Sequence, residues 1–399
     1  MRILMVSALF PTPSAPKVLG GAEVVARRLA DALVARGATI TVVRAGPPGT
    51  VVKEEEVGAM RVLTVPIRNR YSPFDTEQEH GALAKLLWHA RDDWGASADL
   101  RDVIGRERPD VLHTHNIGAL STGVWRAAAA EKVPIVHTLH DYYLLCPRTT
   151  RFRYETVCAR QCRDCRLLTH QRRADTSMVG DVVGVSHAVL QPHLDKKLFA
   201  IARSHVVPNI IQAELAARPH MPGTPVTFGF LGRITLEKGV ERLVQAFGAM
   251  RGDSRLVFGG QIDDAMKARL TALAGGKAID FLGFVSPAEF FAAIDVLVVP
   301  SIWEDPLPTV ILEAQTAGVP AIGSRRGGIV EAMGGDDASW IYDPDAPDAL
   351  RDMLDRVAAD PTAISARAAA AHALAIRFKA EAIVAQYSAV YKVAASTAG

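Results

Sequence analysis

The chain alternates short β-branched apolar runs with helical patterns, and this alternation begins twice. In the first half, five runs have the length and composition of buried strands: residues 3–6, 40–43, 111–113, 135–139 and 182–185. The second half repeats the pattern at residues 226–231, 256–258, 279–282, 296–299 and 321–322, with helices beginning near residues 240, 264, 288 and 309. Strands that alternate with helices form parallel sheets covered on both faces. The sequence therefore predicts an α/β protein of two Rossmann-like, doubly wound domains that face each other across a cleft.

The length of the chain also indicates two domains. Its 399 residues exceed what one hydrophobic core usually holds. We predict an N-terminal domain over 1–208 and a C-terminal domain over 209–377, separated by a linker rich in proline and glycine around Pro222, Gly223 and Pro225. A last helix at about 378–395 is expected to pack back on the first domain. Such sheets bind ligands beyond the carboxyl ends of their strands, where we look for functional residues.

Charge and hydropathy exclude several classes of protein. A net charge of +2, from 45 basic and 43 acidic residues, is too balanced for a general nucleic-acid-binding surface. No apolar stretch approaches the roughly 18–20 residues that span a bilayer. The first apolar run leads into Pro11, Pro13 and Pro16 without the small-residue cleavage pattern of a signal peptide. We therefore expect a cytoplasmic protein whose cysteines are not paired in disulfides.

The first strand of the second domain is followed by two cationic residues. Arg233 comes directly after the strand, and Lys238 precedes Gly239 at the start of the next helix. A guanidinium, an ammonium and a helix N-terminus together favour a diphosphate ligand. The order of residues does not fit a Walker loop. A solvated pair of surface cations is the alternative interpretation.

Acidic residues follow a later strand of the same domain. Asp305, preceded by Glu304, stands eight residues before Glu313, and a helix begins between them near Thr309. Carboxylates in this arrangement can bind the hydroxyls of a sugar and a ribose, while the helix N-terminus faces phosphate. Acidic residues also occur at helix starts only to complement the helix dipole, so the pattern alone does not decide.

The N-terminal domain has glycines and histidines at the corresponding places. Gly20 and Gly21 stand at the mouth of the first helix, where backbone amides can approach an anion. His113 and His115 occupy one face of an extended segment, and His140 follows the next strand. No third metal ligand is evident at a suitable spacing beside His113 and His115, so we favour hydrogen bonding for both.

Six segments taken together resemble the family 4 retaining glycosyltransferases of the GT-B fold. They are GGAE, PDVLHTHN, HTLHD, VPN, LGRITLEKG and WEDPLPTVILEAQTAGVP, which extend over nearly the whole chain. The resemblance implies that the C-terminal domain binds a nucleotide sugar, a UDP- or GDP-sugar, and that the N-terminal domain binds the acceptor. That acceptor is expected to be lipid-linked, a polysaccharide or another envelope saccharide.

The resemblance also implies roles for individual residues. Arg233 and Lys238 would hold the diphosphate, with Gly20 and Gly21 closing over it. Glu313 would bind the ribose, Asp305 would touch the donor sugar, and His140 would lie beside the reacting sugar. The family usually has Glu where this chain has Asp305, so Glu304 is an alternative contact.

The expected reaction needs no cofactor. No Asp-x-Asp motif follows a predicted strand, so cationic side chains are expected to stabilise the leaving nucleoside diphosphate in place of a metal. The resemblance implies retention of configuration by front-face attack. A nucleotide-sugar epimerase of the same fold and a binding protein without catalysis are the alternative functions.

One segment concentrates arginines and all four cysteines. Residues 148–173 contain eight arginines and two acidic residues, a net charge of +6. This segment could bind an anionic lipid-linked acceptor or hold the protein peripherally on the inner face of a membrane, or it could be a solvated loop. Cys146, Cys158, Cys162 and Cys165 have a spacing compatible with a structural zinc ion, and reduced thiols are the alternative.

Overall fold

The computed structural model describes residues 1–16, 20–74, 80–94, 100–211, 222–335 and 339–396. The chain divides into two compact units. One comprises Met1–Arg151, Cys158–Ile210 and Ala380–Gly399, and the other comprises Phe152–Val157 and Ile211–Lys379. The main division lies two residues beyond the boundary predicted at 208/209. We call them the N-terminal unit and the C-terminal unit.

The first part of the chain contains ten strands and seven helices among the described residues. The strands are β1 (Arg2–Val6), β2 (Thr39–Gly46), β3 (Lys53–Val57), β4 (Met60–Pro66), β5 (Val111–Thr114), β6 (Ile135–Leu139), β7 (Phe152–Arg153), β8 (Thr156–Val157), β9 (Asp181–Gly184) and β10 (Arg203–Val206). The helices are α1 (Gly21–Val34), α2 (Ala82–Asp93), α3 (Arg101–Glu107), α4 (Gly123–Ala130), α5 (Arg163–Leu168), α6 (His170–Asp175) and α7 (His187–Leu194). Strands β7 and β8 form a separate two-stranded hairpin.

The sheet of the N-terminal unit has the order β10-β9-β6-β5-β1-β2-β4-β3. Every neighbouring pair is parallel except β3 with β4. Strands β5, β6 and β9 are buried along their whole length, as inner strands of a parallel sheet covered on both faces are. In contrast, β3 has the sequence KEEEV, and such charges protect an edge strand from pairing with other chains.

The C-terminal unit has a six-stranded sheet with helices between its strands. Its strands are β11 (Val226–Leu231), β12 (Ser254–Gly259), β13 (Ile279–Phe281), β14 (Val296–Val299), β15 (Ala321–Ser324) and β16 (Ile341–Tyr342). Its helices are α8 (Val240–Ala249), α9 (Asp264–Leu273), α10 (Pro287–Ala292), α11 (Thr309–Thr316), α12 (Ile329–Ala332), α13 (Ala349–Ala358) and α14 (Pro361–Ala375). The order β13-β12-β11-β14-β15-β16 is parallel throughout and has the doubly wound arrangement.

The last helix, α15 (Ala380–Ser396), belongs to the N-terminal unit and packs against α1, β5 and β6. Its buried face includes Ile383, Val384, Tyr387, Val390 and Tyr391. These residues join the cluster that contains Val25 and Leu29 of α1. The predicted fold class, two doubly wound α/β domains, is thus confirmed.

None of the helices in the described ranges is long and apolar enough to span a bilayer.

Candidate functional site

In the C-terminal unit, the order of the strands reverses between β11 and β14, which is where a doubly wound sheet binds its ligand. Lys238 lies in the 3-10 turn after β11, and Asp305 lies in the loop after β14. Lys238 Nζ is 2.5 Å from Asp305 Oδ2, and the ammonium also lies 5.3 Å from the centre of the Trp303 ring. The structure therefore brings together two residues that are 67 positions apart in the chain.

A glycine permits this contact. Gly239 has φ +73° and ends the turn that contains Lys238. A Cβ atom at this position would lie 1.9 Å from the carbonyl oxygen of Pro300, at the end of β14. Any other residue here would clash with the Pro300 carbonyl and force the turn that contains Lys238 to shift.

The two neighbouring acids have different partners. Glu304 Oε2 accepts a hydrogen bond of 2.7 Å from the amide of Gly327, whereas the Asp305 carboxylate pairs with Lys238. The carbonyl oxygen of Asp305 accepts a further bond of 2.7 Å from the amide of Gly328. The loop after β15 thus holds the Glu304–Asp305 backbone and leaves the Asp305 side chain directed at Lys238.

The remaining predicted donor residues lie at the same edge of the sheet. Arg233 is exposed after β11, Thr309 is the first residue of α11, and Glu313 lies one turn further into that helix with a half-buried side chain. Among the described residues, the Arg233 guanidinium forms no ion pair, so it can accept an anionic ligand. Whether these side chains contact a donor stays a prediction.

In the N-terminal unit, the histidines lie beyond the adjacent strands β5 and β6. His115 Nδ1 and His140 Nε2 are 2.9 Å apart and share a hydrogen bond. Burial lowers the pKa of His140 to about 4 and holds the pKa of His115 well below its usual value. Both imidazoles are therefore neutral at pH 7, and His140 can exchange hydrogen bonds with a hydroxyl without carrying charge.

His113 has a structural role. Its Nε2 is 2.8 Å from Thr138 Oγ1, and its Nδ1 is 2.8 Å from the hydroxyl of Tyr391 on α15. Thr138 Oγ1 in turn bonds the Tyr387 hydroxyl at 3.1 Å. The network connects the last helix to the two strands whose ends present His115 and His140.

Two acids beside these histidines were missed by the sequence analysis. Burial, with a contribution from the charge of Glu23, raises the pKa of Asp141 to about 6. Glu23 is buried in the first turn of α1, and a Cβ at Gly20 would lie 3.3 Å from Glu23 Oε2. The helix N-terminus at Gly20 and Gly21 thus already has a carboxylate beside it. Both acids are the last residues of motifs that the sequence analysis quoted, HTLHD and GGAE, and their place in those motifs was the available signal.

The arginine and cysteine segment brings three of its thiols together. Cys162 Sγ accepts a hydrogen bond from the amide of Cys165 at 3.4 Å. The pKa of Cys146 is lowered to about 6 by a bond to the Cys165 thiol and by the backbone amides of Arg151, Arg148 and Thr150. All four cysteines are free thiols.

Metal sites were sought across the described ranges. There, no set of three or more His, Cys, Asp and Glu residues is arranged to hold a metal ion. The zinc assignment for Cys146, Cys158, Cys162 and Cys165 therefore stays a prediction.

The sequence analysis overlooked one Asp-x-Asp motif that follows a strand. Asp343 and Asp345 form an Asp-x-Asp motif directly after β16, a strand too short to be recognised from its sequence. Asp345 pairs with Arg326 at 2.5 Å, and the Asp343 carboxylate accepts a bond from the amide of Asp345. Both acids thus have partners within the protein.

Comparisons with known families match both units. Residues 19–215 match Glycosyltransferase Family 4, and residues 212–373 match Glycosyl transferases group 1. The chain is a family 4 glycosyltransferase of the GT-B fold. This confirms the resemblance drawn from the six segments.

Relatives of this glycosyltransferase extend over most of its length. A 42.6 kDa protein of the cps region of Klebsiella pneumoniae is 26% identical over 83% of this chain and 87% of its own. Glycogen synthase of Mycobacterium tuberculosis is 28% identical over 93% of this chain and 89% of its own. Phosphatidyl-myo-inositol mannosyltransferase of Mycobacterium leprae is 28% identical over 81% of this chain and 78% of its own.

Solved structures support the fold of the glycosyltransferase. Sucrose-phosphate synthase of Thermosynechococcus elongatus superposes with a TM-score of 0.72 at 18% identity, covering 98% of each chain. HepE of Anabaena, in complex with UDP and glucose, superposes with a TM-score of 0.70 at 17% identity over 98% of this chain and 100% of that chain.

Proposed function

We propose that this glycosyltransferase moves a hexose from a UDP- or GDP-sugar to a lipid-linked or polysaccharide acceptor of the cell envelope, with retention of anomeric configuration. In this reaction the bond between the anomeric carbon and the diphosphate oxygen breaks, and a bond to the acceptor oxygen forms on the same face. The acceptor proton passes to the departing phosphate oxygen. No covalent intermediate is needed.

The observation that carries the donor assignment is the contact of Lys238 with Asp305 where the strand order reverses. A sugar diphosphate has an anionic part and a hydroxylated part, and this pair offers a cation for the first and a carboxylate for the second. Arg233, exposed beside them, would add a forked contact to the diphosphate. Thr309 at the start of α11 and Glu313 within it would bind phosphate and ribose.

On the acceptor side, His140 is proposed to lie beside the reacting sugar. Its neutral imidazole suits a hydrogen bond to a hydroxyl, because a charged ring would repel the developing positive charge at the anomeric carbon. Gly20 and Gly21 at the start of α1 are proposed to close over the diphosphate.

The choice of donor and acceptor draws on the relatives. Structures of HepE contain UDP, glucose and UDP-glucose, which favours a uridine nucleotide and a hexose. The Klebsiella protein is named for the cps region, and the mannosyltransferase of M. leprae is named for phosphatidyl-myo-inositol. These names favour polysaccharide biosynthesis and a lipid-linked acceptor, and hence a cytoplasmic protein peripherally bound to the inner face of the membrane.

We propose that catalysis needs no cofactor. Arg233 and Lys238 would stabilise the leaving diphosphate by charge-assisted hydrogen bonds. Transfer should therefore persist in the presence of EDTA. Any zinc held by the cysteine segment would be structural.

A thermal-shift screen followed by a transfer assay tests the proposal. A nucleoside diphosphate at 100 times its dissociation constant should stabilise the folded protein by about 2.7 kcal/mol. Release of that diphosphate should then require an acceptor, and NMR of the product should show the anomeric configuration of the donor. Release of free sugar without acceptor would favour an epimerase, and donor binding without turnover would favour a binding protein.

A further inference from the structure

Helix α2 of the N-terminal unit exposes an apolar stripe. Leu83, Leu86 and Leu87 are 70%, 48% and 45% exposed, and Trp94, directly after the helix, is 71% exposed. With Ala90, these residues recur at intervals of three and four, so they lie on one face of the helix. A row of large apolar side chains facing solvent marks an interaction surface.

The direction of this stripe is fixed by the opposite face of the helix. Trp88 is 5% exposed, and its Nε1 donates to the carbonyl oxygen of Tyr71 at 2.9 Å. Asp92 pairs with the fully buried Arg172 at 2.8 Å, and Asp93 accepts a bond from the Arg172 amide at 3.0 Å. Because these contacts are buried, α2 cannot rotate to hide its leucines.

Exposed arginines lie on and just before a helix that packs against α2. Helix α5 packs against α2 and carries Arg163, Arg166 and Leu167, of which Leu167 is 72% exposed. Arg160, just before α5, is also exposed. Arg172, which the sequence analysis counted in the basic segment, is instead buried in the fold.

We propose that the α2–α5 surface, defined by Leu83, Leu86, Leu87, Trp94 and Leu167 with Arg160, Arg163 and Arg166, docks on a bilayer of anionic lipid. The apolar stripe would enter the headgroup region, and the arginines would meet the lipid phosphates. This inference rests on the proposed function, because it identifies the surface that holds the enzyme at a lipid-linked acceptor.

Charge favours a bilayer over a second copy of the chain as the occupant. In a twofold-symmetric dimer, the same patch would lie on both sides of the interface. The exposed arginines of one copy would then face those of the other across an apolar contact, and like charges repel. An anionic membrane can bury the leucine side chains and also pair the arginines with lipid phosphates.

Trp94 allows a direct test. The chain has five tryptophans, and the other four, Trp88, Trp125, Trp303 and Trp340, are at most 7% exposed. Vesicles of phosphatidylglycerol with bromine in the acyl chains should quench the emission of Trp94, and the quenching should be lost in Trp94→Phe. Unchanged emission at saturating vesicles would overturn the proposal.

Cosedimentation with phosphatidylglycerol vesicles measures how much the arginines and the leucines each contribute to vesicle affinity. Arg160→Gln, Arg163→Gln and Arg166→Gln combined should weaken binding about fivefold per residue at low salt. Leu83→Ser, Leu86→Ser and Leu87→Ser combined should weaken it at least roughly tenfold. Pure phosphatidylcholine should bind weakly, and added salt should release the protein from phosphatidylglycerol.

Matched variants are available for both sets. Val51, Val52 and Ile201 are 74%, 50% and 75% exposed outside α2 and α5, and changing them to Ser provides the apolar control. Lys132, Lys196 and Lys197 are exposed, and changing them to Gln removes the same charge. If these controls weaken binding as much as the test variants, the α2–α5 assignment is wrong.

The combined results of the turnover and vesicle-binding experiments distinguish this inference from the proposed function. Both proposals are supported if the unchanged protein turns over donor and binds vesicles, and only the α2 and α5 variants lose vesicle binding. Vesicle binding without any donor turnover would leave the surface assignment standing while the proposed reaction fails. Concentration-dependent dimerisation that the leucine variants abolish, without vesicle binding, would identify a second copy as the occupant.

Discussion

At the scale of single residues, Asp305 and Glu304 show how adjacent acids acquire different roles. The Asp305 carboxylate pairs with Lys238, whereas the Glu304 carboxylate fixes the amide of Gly327. The Glu304 carboxylate is thus occupied by the loop after β15. Only Asp305 is therefore placed to share a ligand with Lys238.

This arrangement yields a prediction for turnover. Asp305→Asn should lower turnover about 10- to 150-fold, because a hydrogen bond to a charged group contributes about 1.5–3 kcal/mol. Glu304→Gln keeps an oxygen acceptor for Gly327 and should stay within about threefold of the unchanged enzyme. Steady-state kinetics with saturating acceptor measure both effects. The reverse pattern would show that Glu304 is the sugar contact.

The positions of Lys238, Asp305 and His140 after strands could be predicted from local sequence patterns. The contact of Glu304 with Gly327 could not, because it depends on which strands are neighbours in the sheet. The neutral state of His140 could not be predicted either, since it depends on desolvation of the imidazole in the folded protein. The sequence thus predicted where these side chains stand relative to the strands. It did not predict their tertiary contacts or their burial.

At the scale of elements, α15 is attached to the N-terminal sheet by two buried tyrosine hydroxyls. Tyr391→Phe leaves His113 Nδ1 buried without its partner, so we expect a loss of about 1–3 kcal/mol in the free energy of unfolding. Tyr387→Phe should cost less, about 0.5–1.5 kcal/mol, because Thr138 keeps His113 as a partner. Urea unfolding followed by circular dichroism measures both changes. Equal effects of the two changes would contradict the assigned network.

The cysteine segment gives a second prediction at this scale. We propose, from their spacing in the sequence, that Cys146, Cys158, Cys162 and Cys165 hold one zinc ion, which would have to draw the thiols into a tetrahedral set that the described residues do not show. Protein purified without oxygen should contain about one zinc per chain, and chelation should weaken vesicle binding before donor binding. A fourfold Cys→Ser variant is the control for adventitious metal. Elemental analysis without zinc would leave the cysteines as reduced thiols.

Elements buried on both faces were predicted well. Strands β6, β11 and β14 have the predicted bounds, because each consists of an apolar or β-branched run with a clear start and end in the sequence. Strands β3, β10 and β16 were not predicted, since edge strands are short or polar and lack an apolar run. The polar side chains that protect a sheet edge thus also conceal it from sequence analysis. The short hairpin strands β7 and β8 were missed as well, and so was β4, although it lies inside the sheet and has an apolar run.

At the scale of the whole molecule, buried histidines make stability depend on pH. Burial lowers the pKa of His137 to about 3 and of His140 and His193 to about 4, and holds those of His113 and His115 well below 6.5. In the unfolded chain all five titrate near 6.5. Between pH 7 and pH 5 the unfolded state therefore binds more protons than the folded state, and the free energy of unfolding falls.

The carboxyl group of Asp141 has the opposite effect on the free energy of unfolding as the pH falls. Its pKa is raised to about 6, so the folded state binds a proton that the unfolded state does not bind until about pH 4. Burial also raises the pKa values of Asp92 and Asp175, which act in the same direction as Asp141. The five histidines outnumber these three carboxyl groups, and each histidine costs the folded state about 1.4 kcal/mol per pH unit between its unfolded and folded pKa values. We expect the urea midpoint to be clearly lower at pH 5 than at pH 7. An unchanged or higher midpoint at pH 5 would mean that these histidines are not buried in the neutral form.

The return of α15 to the N-terminal unit has a consequence for biosynthesis. Residues 211–379 form the C-terminal unit and are synthesised before α15 (Ala380–Ser396) leaves the ribosome. Translation proceeds at about 5–20 residues per second, so roughly 10–30 s pass between synthesis of residue 210 and synthesis of α15. During that interval the surfaces of α1, β5 and β6 that α15 covers remain open to solvent on the nascent chain. The N-terminal unit, although most of it is translated first, is therefore completed only after the C-terminal unit has been synthesised, and the apolar residues that α15 covers stay exposed until then.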